Sequence, residues 1–78
     1  LKDYPLAEDY YKKAEALFLA LKYEIDEAHT LVGFGGLELS RENFNASRAY
    51  YVKALMKFNS LNSPRGEAYV LLGLAKLD

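Results

Sequence analysis

The feature that most constrains this chain is an internal repeat of 40 residues. When residues 1–38 are aligned without gaps with residues 41–78, eleven of the 38 positions carry identical residues. The identical pairs are Tyr10/Tyr50, Tyr11/Tyr51, Lys13/Lys53, Ala14/Ala54, Phe18/Phe58, Leu21/Leu61, Glu27/Glu67, Ala28/Ala68, Leu31/Leu71, Gly33/Gly73 and Leu37/Leu77. Such a match at one fixed offset indicates a repeat architecture, in which each unit buries its apolar face against a neighbour. We expect a single domain of two units, about 1–40 and 41–78.

Apolar residues recur at spacings of three and four in both units, which predicts amphipathic helices and no strands. Polar segments separate these stripes. Asp3 and Pro5 suit a helix start, Asn43 is a predicted N-cap, and Ser63 with Pro64 is predicted to be an N-cap followed by the first helical position. The pattern therefore predicts an all-α fold with four helices, at about residues 5–22, 25–38, 44–60 and 64–77.

Composition excludes several classes of function. Ten Lys and Arg against eleven Asp and Glu give a net charge of −1, and no basic stripe is present to neutralise phosphates, so we expect no nucleic-acid partner. No apolar run approaches the roughly 18 residues of a membrane span, so we expect no membrane partner. The chain has no cysteine, which excludes disulfides, thiolate zinc sites and cysteine nucleophiles. We expect a cytoplasmic protein.

Two local features invite a catalytic or ligand-binding interpretation, and neither sustains it. The glycine-rich segment 32–36 lacks both the preceding strand and the Gly-Lys-Ser/Thr of a phosphate loop, so Gly33 is better explained by close approach of a neighbouring helix. His29 is the only histidine, with no second ligand at helical spacing and no nucleophile partner, so we expect it to pack between helices. We predict no metal, no cofactor and no enzymatic activity.

The seven tyrosines could suggest an aromatic binding surface. Tyr10, Tyr11, Tyr50 and Tyr51 recur at repeat positions, however, which predicts that they pack between helices. Tyr23, in a predicted turn, is expected to be the freest of the seven.

The motifs of the repeat resemble those of the tetratricopeptide repeat family. The family pattern is aromatic-x-x-Leu-Gly in the first helix of a hairpin and Ala-x-x-x-aromatic-x-x-Ala in the second. The matching residues are Tyr69, Leu72 and Gly73; His29, Val32 and Gly33 with two substitutions; Ala7, Tyr11 and Ala14; and Ser47, Tyr51 and Ala54 with Ser for one Ala. The resemblance covers nearly the whole chain. The repeat is longer than the family's usual repeat of about 34 residues, and we expect the additional residues to lie in the turns.

The resemblance implies a superhelix of antiparallel helical hairpins, starting with a second-type helix and continuing first, second, first. It also implies a non-enzymatic scaffold that binds a partner protein or peptide on a concave face formed by the first-type helices. The implied partner-binding residues are Glu27, Thr30, Phe34, Leu37, Glu38, Glu67, Val70, Leu74, Leu77 and Asp78. This face would have an apolar floor and acidic edges, which suits a helical or a basic and apolar partner segment.

A second interpretation is self-assembly. The fourth helix is apolar on most sides, whereas a terminal helix of a solenoid normally has a polar outer face. We therefore expect a homo-oligomer, either a closed two-fold dimer or an end-to-end stack. A third interpretation, a regulatory domain that binds a small peptide, stays open.

Overall fold

The computed structural model describes residues 3–77, and within them the chain forms four α-helices and no strand. The helices are α1 (Tyr4–Leu21), α2 (Glu24–Ser40), α3 (Phe44–Ser60) and α4 (Pro64–Ala75). The predicted all-α class is confirmed, and each predicted helix boundary agrees with the structure to within two residues.

The helix start predicted at Asp3 and Pro5 and the N-cap predicted at Ser63 are confirmed. The Asp3 carboxylate accepts a hydrogen bond of 3.0 Å from the backbone N–H of Leu6, and the Ser63 hydroxyl accepts one of 3.3 Å from that of Gly66. A proline lies in the first turn of each of these helices. Capping side chains thus set the starts of α1 and α4.

Asn43 occupies the N-cap position of α3, but its side chain does not cap the helix. Its Nδ2 instead donates a hydrogen bond of 2.8 Å to Glu38. The prediction for Asn43 is therefore right in position and wrong in mechanism, because a nearby carboxylate binds the amide.

The three turns share one geometry at intervals of 20 residues. Lys22, Glu42 and Asn62 adopt left-handed φ angles of 59°, 62° and 54°. The next residue in each turn donates its backbone N–H to the carbonyl five residues earlier, at 2.9 Å, which is the Schellman type of helix ending. These turns of two or three residues leave no room for the additional residues of the repeat. The expectation that the extra length lies in the turns is wrong; it lies in helices of 17 or 18 residues.

Helix α2 is the centre of the fold and contacts α1, α3 and α4. Helices α2 and α4 contact each other, whereas α1 and α3 do not within residues 3–77. The buried apolar side chains come from α2, α3 and α4. Six of them form one cluster, Ala28, Leu31, Tyr51, Ala54, Phe58 and Val70, and Phe34 and Leu37 of α2 are buried as well.

Close approach of tyrosine rings to glycines determines the helix spacing. The ring of Tyr51 lies between α2 and α4, and Cβ atoms built on Gly35 and Gly73 would stand 2.8 and 2.7 Å from ring carbons. In the other unit the Tyr11 ring lies against Gly33 in the same way, as predicted for that glycine. The Ser47 hydroxyl donates a buried hydrogen bond of 2.7 Å to the Gly35 carbonyl and fixes the α2–α3 contact.

The tyrosine predictions hold in part. Tyr51 is buried, and the Tyr50 ring stacks on Phe34 with a centroid distance of 5.1 Å. Tyr10, the repeat mate of Tyr50, is 63% exposed, and Tyr23 is 53% exposed. The prediction that Tyr10 packs between helices is wrong, because in residues 3–77 no helix covers that face of α1. The prediction that Tyr23 is the freest of the tyrosines is wrong for the same reason, since Tyr10 is the more exposed of the two.

Candidate functional site

A groove of about 760 Å³ runs between α2 and α4. Its walls are formed by Ile25, His29 and Val32 from α2, by Arg65, Tyr69 and Leu72 from α4, and by Lys76, the residue that follows α4. Tyr51, Ser63, Gly66 and Gly73 complete its lining. Each α2 wall residue has a repeat mate on the α4 wall: Ile25/Arg65, His29/Tyr69 and Val32/Leu72. The two walls of the groove are therefore formed by the same face of two repeat-related helices.

Helix periodicity explains why these residues share a face. The wall positions on each helix are spaced by four and then three residues, and Lys76 adds a further step of four just after α4. Such spacings return to the same side of a helix. The core-facing positions of α4, including Val70, lie on a different side and leave the groove face free of internal packing.

The charge of the groove is positive at its two ends. Arg65 lies in the first turn of α4, and Lys76, eleven residues later, follows its last residue with a helical backbone conformation. This separation corresponds to about 16 Å along a helix. Tyr69 and Leu72 lie between them, and both are more than half exposed. None of the lining residues carries a carboxylate, so the groove presents an apolar strip with a cation at each end.

His29 has the packing contacts that were predicted for it, although its side chain is exposed in the groove. Its ring meets Phe58 edge-on with a centroid distance of 4.9 Å and Tyr69 with one of 6.4 Å. The aromatic contact holds the imidazole at the middle of the α2 wall.

The residues predicted for partner binding lie mainly elsewhere. Buried are Thr30, Phe34, Leu37 and Val70; half-buried are Glu27, Glu38, Glu67, Leu74 and Leu77; Asp78 lies outside the described residues. Phe34 packs on the Tyr11 ring of α1 at a centroid distance of 5.4 Å, so this side of α2 faces the preceding helix. The four buried side chains cannot contact a partner without separation of the helices, and the accessible groove does not coincide with the predicted set.

The predicted acidic edges are engaged within the chain. Each of the three carboxylates has a polar or charged neighbour: Glu27 with Lys57 at 3.6 Å, Glu38 with Arg41 at 3.0 Å and Glu67 with Asn59 at 2.8 Å. These contacts engage the three carboxylates within the chain, and none of the three lines the groove.

A cluster of polar and charged side chains joins α1 to the end of α2. The Arg41 guanidinium bonds Glu8 at 2.8 Å and Glu38 at 3.0 Å, and it lies 5.6 Å from the centroid of the Tyr4 ring. The Arg41 hydrogen bond is the main reason that the pKa of Glu8 is lowered below its usual range, and Lys12 adds to the effect. These groups satisfy one another across a helix contact, so we assign the cluster a structural role.

Two absences bear on other kinds of site. Among residues 3–77, no three His, Asp or Glu side chains come close enough to share a metal ion. None of the helices in that part of the chain is long and apolar enough to cross a membrane.

Comparisons of the sequence with protein-family models and with curated proteins find no match, and a search of solved structures finds none either.

Proposed function

We propose that this chain is a non-enzymatic protein-interaction module and that a partner segment binds in the α2–α4 groove. The observation that carries the proposal is the composition of the groove: exposed apolar side chains between Arg65 and Lys76, with no carboxylate in the lining. Exposed apolar strips bounded by polar residues are typical of interaction surfaces. The tetratricopeptide-like motifs support the same function, since that family binds protein segments on the corresponding helices.

The charges of the groove define the partner. The aligned motif residues suggested a helical segment or a basic and apolar one. Arg65 and Lys76 favour an acidic segment, because opposite charges speed the encounter of two partners and fix their relative position. The roughly 16 Å between them corresponds to about five residues of an extended peptide. The proposed ligand is a short segment with a carboxylate near each end and apolar side chains between them.

The proposal can be tested with two blocked peptides, Glu-Leu-Ser-Phe-Glu and Lys-Leu-Ser-Phe-Lys, titrated into the isotopically labelled chain. The acidic peptide is expected to shift backbone amide resonances of α2 and α4, less strongly at high salt, and the basic peptide is expected to shift few. The double variant R65E/K76E should reverse this preference.

The matched control is K13E/K53E, which makes the same change of charge at two exposed repeat mates outside the groove. This variant should bind the acidic peptide as the unmodified chain does, apart from a small non-specific loss. Equal binding of both peptides, or equal losses in the two double variants, would show that the groove charges do not select the partner.

A further inference from the structure

One side of α4, which we call its outer face, carries Ala68, Leu71 and Ala75. These residues are exposed, whereas the residues at the same repeat positions of α2 are buried. Leu31 is 9% exposed and its mate Leu71 is 55% exposed. Ala28 and Gly35 are likewise buried, whereas their mates Ala68 and Ala75 are exposed. In α2 this face packs against α3, with Ala28 and Leu31 in one cluster with Tyr51, Ala54 and Phe58. Helix α4 therefore carries the same apolar face without its cover.

The complementary face is free on α1. Leu6, Tyr10, Leu17 and Leu21 form one exposed stripe along this helix, and Tyr10 and Leu17 are each more than 60% exposed. Their repeat mates in α3 are Ala46, Tyr50, Lys57 and Leu61, all half-buried. Tyr50 stacks on Phe34 of α2. Helix α1 thus presents, uncovered, the side that corresponds to the one α3 uses against α2.

We propose that the outer face of α4 binds the outer face of α1 of a second copy, in the arrangement that α2 and α3 have within one chain. This inference goes beyond the groove and does not depend on it. The two faces belong to opposite ends of the molecule, so each junction leaves one free α1 face and one free α4 face. Such a heterologous contact produces an open stack and not a closed dimer.

The substitutions between the units suit this junction. At the α2–α3 contact, Lys57 lies 3.5 Å from Glu24, and the corresponding residues at the junction are Leu17 and Pro64. Ser47, whose hydroxyl bonds Gly35 inside the chain, corresponds to Ala7. These three polar groups are thus replaced by apolar ones, which avoids the cost of burying them without partners. Lys57 also lies 3.6 Å from Glu27, whose mate Glu67 remains charged at the junction; Glu67 accepts a hydrogen bond of 2.8 Å from Asn59 of its own copy.

One position requires adjustment. Ala75 takes the place of Gly35, and the ring that corresponds to Tyr51 is that of Tyr11. A Cβ on Gly35 would lie 2.8 Å from the Tyr51 ring, so the Tyr11 ring must shift by some tenths of an ångström at the junction.

The stack would also extend the groove. At the junction, α1 and α2 of the second copy take the places that α3 and α4 have beside α2 within one chain. Helix α2 of the second copy therefore lies beside α4 of the first copy. The groove face of α4 would then meet a further α2 wall, so a partner segment longer than one copy could bind across junctions.

Sedimentation of the chain at increasing concentration tests the proposal. The weight-average mass should rise past twice the monomer mass of 8.8 kDa without reaching a plateau at the dimer. Leu17→Asp and Leu71→Asp should each weaken association at least about tenfold, because each buries an unpaired carboxylate at the junction. Both side chains are exposed in a single copy, so circular dichroism should show unchanged helicity.

An equimolar mixture of the two variants is the decisive sample. Leu17→Asp retains an intact α4 face and Leu71→Asp an intact α1 face, so together they should form a 1:1 dimer and nothing larger. The control is Met56→Asp, which makes the same kind of change at a residue of α3 that is 68% exposed and lies outside the groove lining, and this variant should associate normally. A chain that stays monomeric, a mixture without heterodimer, or an equal loss in Met56→Asp would each overturn the proposal.

Discussion

The ring of Tyr51 lies against the backbone of Gly73, with ring carbon Cε1 2.7 Å from the place where a Gly73 side chain would begin. Gly73→Ala should therefore destabilise the fold by about 1–3 kcal/mol, because the α3–α4 contact must open to admit a methyl group. Urea-induced unfolding would measure the loss.

Gly36→Ala is the matched control, since the nearest atom to a side chain there, the Tyr51 hydroxyl oxygen, is 3.7 Å away. Alanine also favours a helix interior by about 1 kcal/mol over glycine. Gly36→Ala should therefore leave stability unchanged or raise it. A similar loss at both positions would show that helix spacing does not depend on the Tyr51–Gly73 contact.

Ser47→Ala should destabilise the chain by about 1 kcal/mol, because it removes the buried 2.7 Å hydrogen bond to the Gly35 carbonyl. Ser60→Ala serves for comparison: its hydroxyl makes an exposed bond of 2.8 Å to the carbonyl of Lys57 in its own helix. That change should stay within about 0.5 kcal/mol. Thermal unfolding of the two variants would separate them, and equal midpoints would argue against a role for the Ser47 bond.

Glu42→Gly should stabilise the chain by up to about 1 kcal/mol, because the backbone at residue 42 has a φ of 62°. In this left-handed conformation the Cβ of other residues clashes with a carbonyl oxygen, and glycine has no Cβ. Asn62→Gly should gain less, since asparagine tolerates this conformation better. Lys53→Gly, in the exposed interior of α3, should cost about 1 kcal/mol. Unfolding free energies from urea titration would test this ranking, and a loss at position 42 would contradict it.

Acid should weaken the contact between Glu8 and Arg41. The guanidinium lowers the pKa of Glu8 below its usual 4.5, so the ionised carboxylate contributes stability above the unfolded pKa, and this stability is lost as pH falls through the folded value. Glu8→Gln should therefore be less stable than the unmodified chain at neutral pH, and the difference should vanish in strong acid. In an Arg41→Gln background the same change at Glu8 should give a smaller pH-dependent difference, because the main partner of this carboxylate is then absent. A difference that is constant with pH would exclude the ion pair as its source.

Much of the fold follows from the sequence because the repeat identities are mostly packing positions. Ala54, Phe58 and Gly73 are identical to their mates in the first unit, and each of the three packs against another helix. The helix starts at Asp3 and Ser63 follow from the capping preferences of their side chains. Sequence identity does not reveal which copy has a neighbour. Tyr10 and Tyr50 are the same residue in the same register, yet only Tyr50 has an aromatic ring to stack on.

The groove escaped prediction for the opposite reason. The motif alignment pointed to Thr30 and Phe34, which are buried. The groove walls are positions where the units differ, such as His29/Tyr69 and Ile25/Arg65. A repeat can vary side chains that no helix contacts, so the variable positions at helical spacing were the available signal.

Helix α1 is the one helix of residues 3–77 without a fully buried side chain, and its helix contacts in that part of the chain are with α2 alone. Its amides should therefore exchange with deuterium earliest, because local opening requires the least free energy where few contacts are lost. Detachment of α1 would uncover Gly33 and Phe34 on α2 while the core of α2, α3 and α4 stays closed. The rate of deuterium uptake in α1 therefore depends on whether its outer face is covered. Uptake that slows as the protein concentration rises would show that a second copy binds this face.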